Sequence, residues 1–376
     1  MRPQNTLDRV LNYVVQTPAG RPVAALYLGF LRLLEDLRWT LLPTEIALME
    51  AIMGNYGAQA VHVAARLGIG DRLADGPRSA SELARDAGCD ADQLFRLLRF
   101  LEAKRVVRVR RDGRFQLSRH GRGLIGDAPR SFKAFAEMNG AGANWRAWGA
   151  LLDGVKHGEA AFKLAHGREF WDYTKTDPEF AEMFDRSMVG FSEATIPLIA
   201  SAYKFGPGTL VDVGGGRGAL LAGILKRQPE LRGVLFDMPE VVRDAPAYLE
   251  QAGVGSRVAV EAGSFFDGVP KGHDYYVLKN VLHDWGDKEC LQILGHVADA
   301  IKPGGRLLLA EILVKPREAY PLSRAMDIGM MVLTRGGRER TRLEYEGLLA
   351  KTGFRLSRVV STTDFMSVLV AEPRRR

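Results

Sequence analysis

A glycine-rich segment in the second half of the chain constrains the possible folds more than any other feature. An apolar run over residues 209–213 leads into Gly214, Gly216 and Gly218, and a helix-compatible run over residues 219–227 follows. Glycine adopts positive φ angles readily and lets the backbone approach a ligand that a Cβ atom would exclude. The segment therefore predicts a buried strand, a tight turn that binds a ligand and a helix.

The alternation of strand and helix patterns continues to the end of the chain and predicts the fold class. Such alternation builds an α/β fold, with a mostly parallel sheet that helices cover on both faces. The last two strands are too close in sequence for a crossover helix, so we expect the final strand to be antiparallel. The predicted strands are 209–213, 233–237, 257–261, 275–279, 306–312, 354–360 and 366–371, and the predicted helices are 219–227, 241–251, 288–301 and 343–351.

Residues 46–123 have the pattern of two helices followed by a short β-hairpin. Ser79 or Ser81 can cap the first helix, and Asp90 can cap a second helix that carries an apolar stripe. The dipeptide at positions 112 and 113, Asp-Gly, is a strong tight-turn signal. The two strands that flank this turn are predicted over residues 105–109 and 114–117. Two helices and a hairpin together predict a winged helix.

A winged helix in a chain with a net charge of +7 is compatible with binding to duplex DNA or to another anionic partner. The start of the second helix, where base-reading side chains would lie, carries Asp90 and Asp92. Phosphate repels both carboxylates, so we expect a dimerisation module and no nucleic-acid partner. A ligand-sensing transcriptional regulator is the non-enzymatic alternative.

Two helical segments complete the predicted organisation. In residues 1–45, Leu7, Val10, Leu11 and Val14 recur at helical intervals and predict an accessory helical arm. Residues 124–205 have the pattern of aromatic-rich helices, some of whose rings we expect to line a flat apolar pocket. The predicted segments are the arm (1–45), the winged-helix-like domain (46–123), a helical substrate-binding region (124–205) and a catalytic domain (206–376).

Cysteine usage and hydropathy bear on cellular location. The two cysteines, Cys89 and Cys290, lie in unrelated contexts, which is typical of a protein of a reducing compartment. No apolar run reaches the roughly 20 residues that a membrane-spanning helix needs. We therefore expect a cytoplasmic protein without stable membrane insertion.

The glycine turn by itself does not separate two nucleotide-containing cofactors. With Ala219 it matches the dinucleotide pattern GxGxxA, and Asp237 ends the next predicted strand, where a carboxylate can bind both ribose hydroxyls. Asp212, just before the glycines, would repel a pyrophosphate but attract the sulfonium and ammonium groups of S-adenosylmethionine. This charge favours S-adenosylmethionine over NAD, although Asp212 can also act as an anchor for the glycine turn.

His283 is a candidate general base. It follows the fourth predicted strand, at the sheet edge where open α/β folds bind their ligands. A phenol of pKa about 10 is a poor nucleophile until it loses its proton, which an imidazole can accept at neutral pH. The second ring nitrogen then needs a carboxylate to fix the tautomer. Glu311 and Glu339 are the candidates, and Glu311, at a strand end, is expected to be the better placed.

At these residues the chain resembles the small-molecule O-methyltransferase family that includes caffeate, acetylserotonin and hydroxyneurosporene-type O-methyltransferases. The resemblance spans roughly residues 46–373 and is carried by a series of specific motifs. They are LVDVGGGRG at 210–218, FDMPEV at 236–241, GSFF at 263–266, LKNVLHDW at 278–285, PGGRLLLAE at 303–311 and GGRERT at 336–341.

The resemblance implies a Rossmann-like catalytic domain, a dimerisation domain that forms a homodimer, and S-adenosylmethionine as the cofactor, with S-adenosylhomocysteine as the product. It also implies that His283 is the general base and that Glu311 and Glu339 flank it. The expected cofactor-binding residues are Asp212, Gly214, Gly216, Gly218, Asp237, Met238, Ser264, Phe265, Lys279 and Trp285. The expected substrate-binding residues are Phe184, Met188, Met326, Asp327, Met330 and Met331.

The motifs differ from the plant members of this family at one point. Plant members usually carry Asp-Met after the glycine at 263, whereas this chain has Ser264 and Phe265, which resembles bacterial branches. Adenine is expected to stack on Phe265.

We therefore predict an S-adenosylmethionine-dependent O-methyltransferase that acts on a hydroxyl of an aromatic or polyene secondary metabolite. Carbon methylation, and decarboxylation or hydroxylation on the same fold, are the close alternatives, and an NAD-dependent dehydrogenase is a more distant one. No ring of carboxylates suited to chelating magnesium is evident in the sequence, so no metal is expected.

Overall fold

The computed structural model describes residues 21–128, 131–316, 321–362 and 366–374. These residues divide into two compact units. The helical unit consists of residues 38–153 and 161–194. The sheet unit consists of the described residues up to 37, residues 154–160 and the described residues from 195 onwards. The four-segment division expected from the sequence stays a prediction, and the apolar repeat from Leu7 to Val14 lies outside the described residues.

Helices dominate the chain before the large sheet. They are α1 (Arg21–Leu41), α2 (Thr44–Ile52), α3 (Gly54–Arg66), α4 (Ile69–Arg72), α5 (Ala80–Ala87), α6 (Ala91–Ala103), α7 (Lys133–Gly140), α8 (Gly142–Gly149), α9 (Leu151–His157), α10 (Ala161–His166), α11 (Phe170–Thr176) and α12 (Pro178–Ala202). A short antiparallel hairpin follows α6, with strands β1 (Val107–Val109) and β2 (Phe115–Leu117). None of the described helices has the length and apolar character that crossing a bilayer requires.

The two helices expected before the hairpin form as predicted, and their caps explain where they begin. Ser79, rather than Ser81, caps α5, because its side chain accepts from the Glu82 amide while the Glu82 carboxylate accepts from the Ser79 amide. Asp90 caps α6 by accepting from the Gln93 amide at 2.8 Å. Caps of this kind each stabilise a helix by about 1 kcal/mol.

A seven-stranded sheet forms the centre of the sheet unit and confirms the predicted fold class. Its strands are β3 (Gly208–Val213), β4 (Leu231–Asp237), β5 (Val258–Ala262), β6 (His273–Lys279), β7 (Ile301–Ile312), β8 (Phe354–Ser361) and β9 (Met366–Pro373). In space the order is β5-β4-β3-β6-β7-β9-β8. The five strands β5, β4, β3, β6 and β7 pair in parallel with one another, whereas β9 is antiparallel to both β7 and β8. The expected antiparallel final strand is therefore confirmed.

The helices that accompany the sheet are close to those predicted, with two differences. They are α13 (Ala219–Arg227), α14 (Pro239–Val242), α15 (Ala245–Gln251), α16 (Asp287–Ala300), α17 (Leu322–Leu333) and α18 (Arg342–Lys351). The prediction of a single helix over 241–251 was wrong, since α14 ends at Val242 and α15 begins at Ala245. Pro246 occupies the first turn of α15 and favours a helix start there. The other difference is α17, an apolar segment after Pro321 that the sequence patterns did not indicate.

The register of the central strands brings three chain segments together at one edge of the sheet. Val213, the last residue of β3, lies opposite Leu278 of β6, and Lys279 lies opposite Ala310 of β7. These strand ends are held by a core in which most of the inward-facing apolar side chains are fully buried. The residues that follow β3 and β6 and those that end β7 therefore meet at this edge.

Candidate functional site

The glycine turn between β3 and α13 needs glycine for both conformation and space. Gly214, Gly216 and Gly218 have φ angles of 68°, 60° and 87°, a region that L side chains rarely adopt. A Cβ atom on Gly214 would lie 2.9 Å from a methyl group of Val281, so this position also requires the absence of a side chain. The turn is thus a preformed backbone cradle beside the end of β6.

Asp237, at the end of β4, is bonded to this turn. Its two carboxylate oxygens accept from the Gly216 amide at 2.8 Å and from the Met238 amide at 2.7 Å. Burial raises the pKa of Asp237, and the two amide bonds oppose this increase. Asp237 therefore anchors the glycine turn, while Met238 stays largely exposed beside it. The expected role of both residues toward a cofactor stays a prediction.

Asp212 is the least satisfied acidic group at the turn. Only 1% of the residue is exposed, and its Oδ2 atom has no hydrogen-bond partner among the described residues, while the carboxylate accepts from the Leu221 amide. Burial raises the pKa of Asp212 to about 7, and the nearby ammonium of Lys279 only partly opposes the increase. A buried carboxylate with an unused oxygen is costly unless a cation or a donor comes to it. The site is therefore suited to a positively charged ligand group.

Lys279 is the last residue of β6 and lies next to this carboxylate, and Asn280 follows it. Burial lowers the pKa of Lys279, although Asp212 and Glu311 both oppose the decrease. Asn280 has a φ of 51°, which is uncommon for a residue other than glycine, and this conformation turns the chain out of the strand. The chain then enters the short helical turn Leu282–Asp284.

Aromatic rings line the neighbouring end of β5. Phe265 lies beside the glycine turn, with a ring carbon 3.7 Å from the position of a Cβ on Gly214. The rings of Phe265 and Trp285 have centroids 6.2 Å apart in an edge-to-face arrangement. Ser264 accepts from the Phe266 amide through its hydroxyl and so shapes the loop that carries these rings. The loop gives the cradle an apolar wall.

His283 lies in the helical turn after β6 and is paired with a carboxylate. Its Nδ1 atom is 2.9 Å from Oε1 of Glu339, and both side chains are buried. Its Nε2 atom lies 3.7 Å from an oxygen of Asp284, which is a longer contact. The Glu339 amide in turn donates to Asp327 on α17 at 2.9 Å, which fixes the carboxylate-bearing loop.

Glu311 has a different role from the one expected. Its Oε1 atom accepts from the amides of Val281 and Leu282 at 3.3 and 3.1 Å, and its Oε2 atom bonds no described group, so Glu311 does not bond the imidazole. The expectation that Glu311 is better placed than Glu339 to orient His283 was therefore wrong. Glu311 instead holds the turn on which His283 lies, and it still flanks the histidine.

The three side chains form one compact, buried group. The possible ligand atoms of His283, Glu311 and Glu339 all lie within 4.8 Å of one another, a spacing that could also hold a metal ion. In the part of the chain that the structure describes, one oxygen of each glutamate, Oε2, is buried without a hydrogen-bond partner. The absence of a metal requirement stays a prediction.

The carboxylates around His283 change its acid strength. Burial alone favours the neutral imidazole, but Asp284 and Glu339 outweigh burial and raise the pKa of His283 to about 10. Burial raises the pKa of Glu311 to about 7 and that of Asp284 to about 6. In the free protein near neutral pH these interactions favour the protonated imidazole, and burial favours a proton on Glu311.

The residues expected to bind substrate lie in both units. On α17, Met330 is buried, whereas Met326, Asp327 and Met331 are half-buried. On α12, Phe184 packs edge-to-face against Phe170 and Trp171, with ring centroids 5.3 and 5.6 Å away, and Met188 is half-buried. The bond from the Glu339 amide to Asp327 ties α17 to the imidazole pair, while the contacts of all six residues with a substrate stay a prediction.

Two residues at this edge were not singled out from the sequence. Asp284 directly follows His283, and its carboxylate is the nearest one to Nε2. Arg340 directly follows Glu339, is fully buried and donates to backbone carbonyls on both sides of His283. Both lie inside the LKNVLHDW and GGRERT motifs, and adjacency to the paired residues is the signal that could have found them.

Two domain families match the chain. An O-methyltransferase domain matches residues 148–355, and an O-methyltransferase dimerisation domain matches residues 49–127. A phenazine O-methyltransferase from Lysobacter antibioticus is 36% identical over 340 residues, which cover 90% of this chain and 99% of that protein.

Solved structures are similar over most of the chain as well. A methyltransferase of calicheamicin biosynthesis, solved in its S-adenosylhomocysteine-bound form, is 37% identical with a TM-score of 0.78, and the match covers 88% of this chain and 98% of that one. An O-methyltransferase from neocarzinostatin biosynthesis was solved with S-adenosylmethionine and 2-hydroxy-5-methyl naphthoic acid. It is 32% identical with a TM-score of 0.72, and the match covers 84% of this chain and 96% of that one.

Proposed function

The chain belongs to the S-adenosylmethionine-dependent O-methyltransferases, and from this premise we propose that it methylates a hydroxyl of an aromatic or polyene secondary metabolite, with His283 as the general base. The observation that carries the base assignment is the buried pair of His283 and Glu339 at the sheet edge that also holds the glycine turn. The aromatic acceptors of the relatives support the acceptor class, since phenazine and a hydroxylated naphthoic acid appear among them.

The residues at the end of β3 fit the proposed cofactor. The cradle at Gly214 admits backbone approach, and the unsatisfied oxygen of Asp212 suits the cationic end of S-adenosylmethionine. Asp237 retains lone pairs for ribose hydroxyls, and Phe265 offers a ring face for adenine. When bound, S-adenosylmethionine supplies a methyl group on a cationic sulfur that leaves as a neutral thioether. The proposed set of cofactor-binding residues is completed by Lys279, Met238, Ser264 and Trp285.

The imidazole pair would move one proton. In the neutral form of His283, a hydrogen bond from Nδ1–H to Glu339 leaves the lone pair of Nε2 free to accept a proton. The O–H bond of the acceptor breaks as the Nε2–H bond forms, and the oxygen keeps the electron pair with which it attacks the methyl group. The charge on Glu339 stabilises the resulting imidazolium. The proposed acceptor-binding residues are Met326, Asp327, Met330 and Met331 of α17 and Phe184 and Met188 of α12.

We also propose a homodimer formed through the region that matches the dimerisation domain. Large apolar side chains of this region are exposed in the isolated chain, among them Met49, Ile52, Tyr56, Phe95 and Val109. Exposed apolar faces of this kind mark association surfaces. A cytoplasmic location is proposed from the two free cysteines, of which Cys290 is buried.

The direct test is incubation of the purified protein with methyl-labelled S-adenosylmethionine and a panel of hydroxylated aromatics and polyenes. We expect a labelled product that is heavier by one CH2 group, with the label on oxygen. A label on carbon would show that the protein is a C-methyltransferase. An unlabelled product that has lost CO2 or gained oxygen would show that the protein does not transfer a methyl group. Thermal-shift measurements with S-adenosylhomocysteine and with NADH test the cofactor separately, and stabilisation by NADH alone would overturn it.

A further inference from the structure

Arg340 is the largest fully buried side chain of the described residues, and its hydrogen bonds surround the turn that carries His283. Its Nη1 atom donates to the Leu282 carbonyl at 2.9 Å, and its Nη2 atom donates to the Trp285 carbonyl at 2.8 Å. Both Nε and Nη2 also donate to Oδ1 of Asp287, at 3.2 and 2.8 Å. The planar guanidinium thus spans the turn from one side of His283 to the other.

The residues next to Arg340 bond the same turn. The Arg338 amide donates to the His283 carbonyl at 2.8 Å, and the Glu339 carboxylate bonds the His283 ring. The Arg340 carbonyl accepts from the Val314 amide, which ties the segment to the end of β7. This three-residue segment therefore holds the backbone of the turn, the imidazole ring and both flanking carbonyls.

A buried guanidinium needs a reason at this position. Burying a charge is costly, and apolar side chains of similar volume often replace buried charged groups without loss of stability. Hydrogen bonds from Arg340 to two carbonyls and one carboxylate offset this cost, and the side chain also lies over the ring of Tyr345. A guanidinium presents five N–H donors in a rigid planar fork, which bonds both carbonyls and Asp287 in one fixed geometry, whereas an ammonium is a compact charge with three rotatable donors.

We propose that Arg340 is a positioning residue, which fixes the turn that carries His283 so that the imidazole stays paired with Glu339 and aimed at the acceptor oxygen. It has no contact with the reacting atoms and acts through His283. The kinetic part of this inference rests on the proposed base role of His283, whereas the structural part does not. The charged groups that face His283 are Glu339, Asp284 and Glu311, and none of them is altered in the tests below.

The first test is Arg340→Lys, which keeps the positive charge and removes the fork. We expect kcat to fall by about 10- to 100-fold, because a misplacement of about 1 Å at a reacting group costs up to about 100-fold. The Kd for S-adenosylhomocysteine should change much less than kcat in calorimetry, since Arg340 bonds the Trp285 carbonyl but makes no hydrogen bond to the glycine cradle. The matched control is Arg342→Lys, an exposed arginine two positions along, which should retain wild-type kcat.

The second readout does not depend on turnover. In the protein labelled with 15N-histidine, the signal of His283 is identified by its loss in His283→Gln, and its titration is followed in the wild type and in Arg340→Lys. If Arg340 positions the imidazole beside Glu339, His283 titrates at a lower pH in Arg340→Lys than in the wild type. A merely structural role would lower the melting temperature and the active fraction but leave this titration and the pH profile of kcat unchanged, and that result would overturn the proposal.

A variant outside the buried core covers the case in which Arg340→Lys does not fold. Asp287→Ala removes the exposed carboxylate that two guanidinium nitrogens bond, and Lys288→Ala is its control on the same helical turn. We expect a smaller decrease in kcat for Asp287→Ala, with the titration of His283 moved to lower pH and no change in cofactor affinity. Wild-type kcat and an unchanged titration in Asp287→Ala would contradict the proposal. If His283→Ala keeps full activity while the titration moves as expected, the base role fails and the positioning of the turn stands.

Discussion

The Nδ1 atom of His283 lies 2.9 Å from Oε1 of Glu339, and the two side chains come from segments of the sheet unit that are far apart in sequence. One comes from the turn after β6 and the other from the loop before α18. Both are buried, so the carboxylate acts on the imidazole with little screening by water. Asp284 and Glu339 together set how strongly His283 holds a proton, and the bond from Glu339 to Nδ1 leaves Nε2 as the ring nitrogen available to an acceptor.

The pH dependence of activity follows from this pair. The pKa of His283 is raised to about 10 in the free protein, so the neutral imidazole needed for base catalysis becomes more abundant as the pH rises from 7. We expect kcat/KM for the acceptor to rise with pH over this range. A positively charged cofactor nearby would lower the pKa of His283, so kcat/KM for the acceptor should level off at a lower pH when the cofactor is saturating than when it is scarce. Acceptors of different hydroxyl pKa separate the contribution of the substrate, and an activity that falls between pH 7 and about 9 would contradict the assignment.

We expect different losses of kcat when Glu339 and Glu311 are each replaced by the neutral glutamine. Glu339→Gln keeps an acceptor for Nδ1–H but removes the charge that stabilises the imidazolium, so kcat should fall by about 10-fold or more. Glu311→Gln keeps an acceptor for the amides of Val281 and Leu282 and resembles the protonated acid, so its loss should be smaller. Steady-state kinetics of both variants at one pH makes the comparison. Equal losses, or a larger loss for Glu311→Gln, would show that the pair has been assigned to the wrong carboxylate.

Asp212 is expected to bind the cationic end of the cofactor. In Asp212→Asn the affinity for S-adenosylmethionine should fall by about 10-fold, because a charge-assisted contact is replaced by a neutral one. Calorimetry with S-adenosylhomocysteine identifies the contact: a loss for both ligands indicates the ammonium group, and a loss for S-adenosylmethionine alone indicates the sulfonium. Asp244→Asn, an exposed position, is the control. Unchanged affinity for both ligands would leave Asp212 as an anchor of the glycine turn only.

Asp212 should also make stability depend on pH. Its pKa in the folded protein is raised from 3.8 to about 7, so the folded state binds the proton more tightly than the unfolded state does. The free energy of unfolding contributed by this group is therefore present below about pH 4 and is lost as the pH rises to about 7. Asp212→Asn should consequently be more stable, relative to the wild type, at pH 8 than at pH 4, by an amount on the order of 1–4 kcal/mol. Urea unfolding of the ligand-free proteins at both pH values measures it, and a difference that does not change with pH would refute the prediction.

Most of the sheet could be predicted from the sequence because its signals are local. The strand over 209–213 is a buried apolar run that ends at glycines, and such runs fix both the strand and its end. The rule that parallel strands present their carboxyl ends at one edge then brought His283 close to the glycine turn without coordinates. The two helical caps, Ser79 and Asp90, were equally local signals.

The pairing within the site depends on contacts between distant segments, which local patterns do not contain. Glu339 rather than Glu311 reaches Nδ1 because the loop before α18 is held by Asp327 and by the close approach of Gly337 to the carbonyl of His283. Arg340 could not be predicted for a different reason, since arginines are seldom fully buried and composition alone gives no sign of the exception.

The most direct test of the central claim, that His283 removes the acceptor proton, is the turnover of His283→Ala measured together with its affinity for S-adenosylhomocysteine. We expect kcat to fall by about 10²–10⁴-fold, the usual contribution of a general base, with the affinity unchanged because the glycine cradle is intact. A variant that binds the ligand normally and turns over at the wild-type rate would contradict the account.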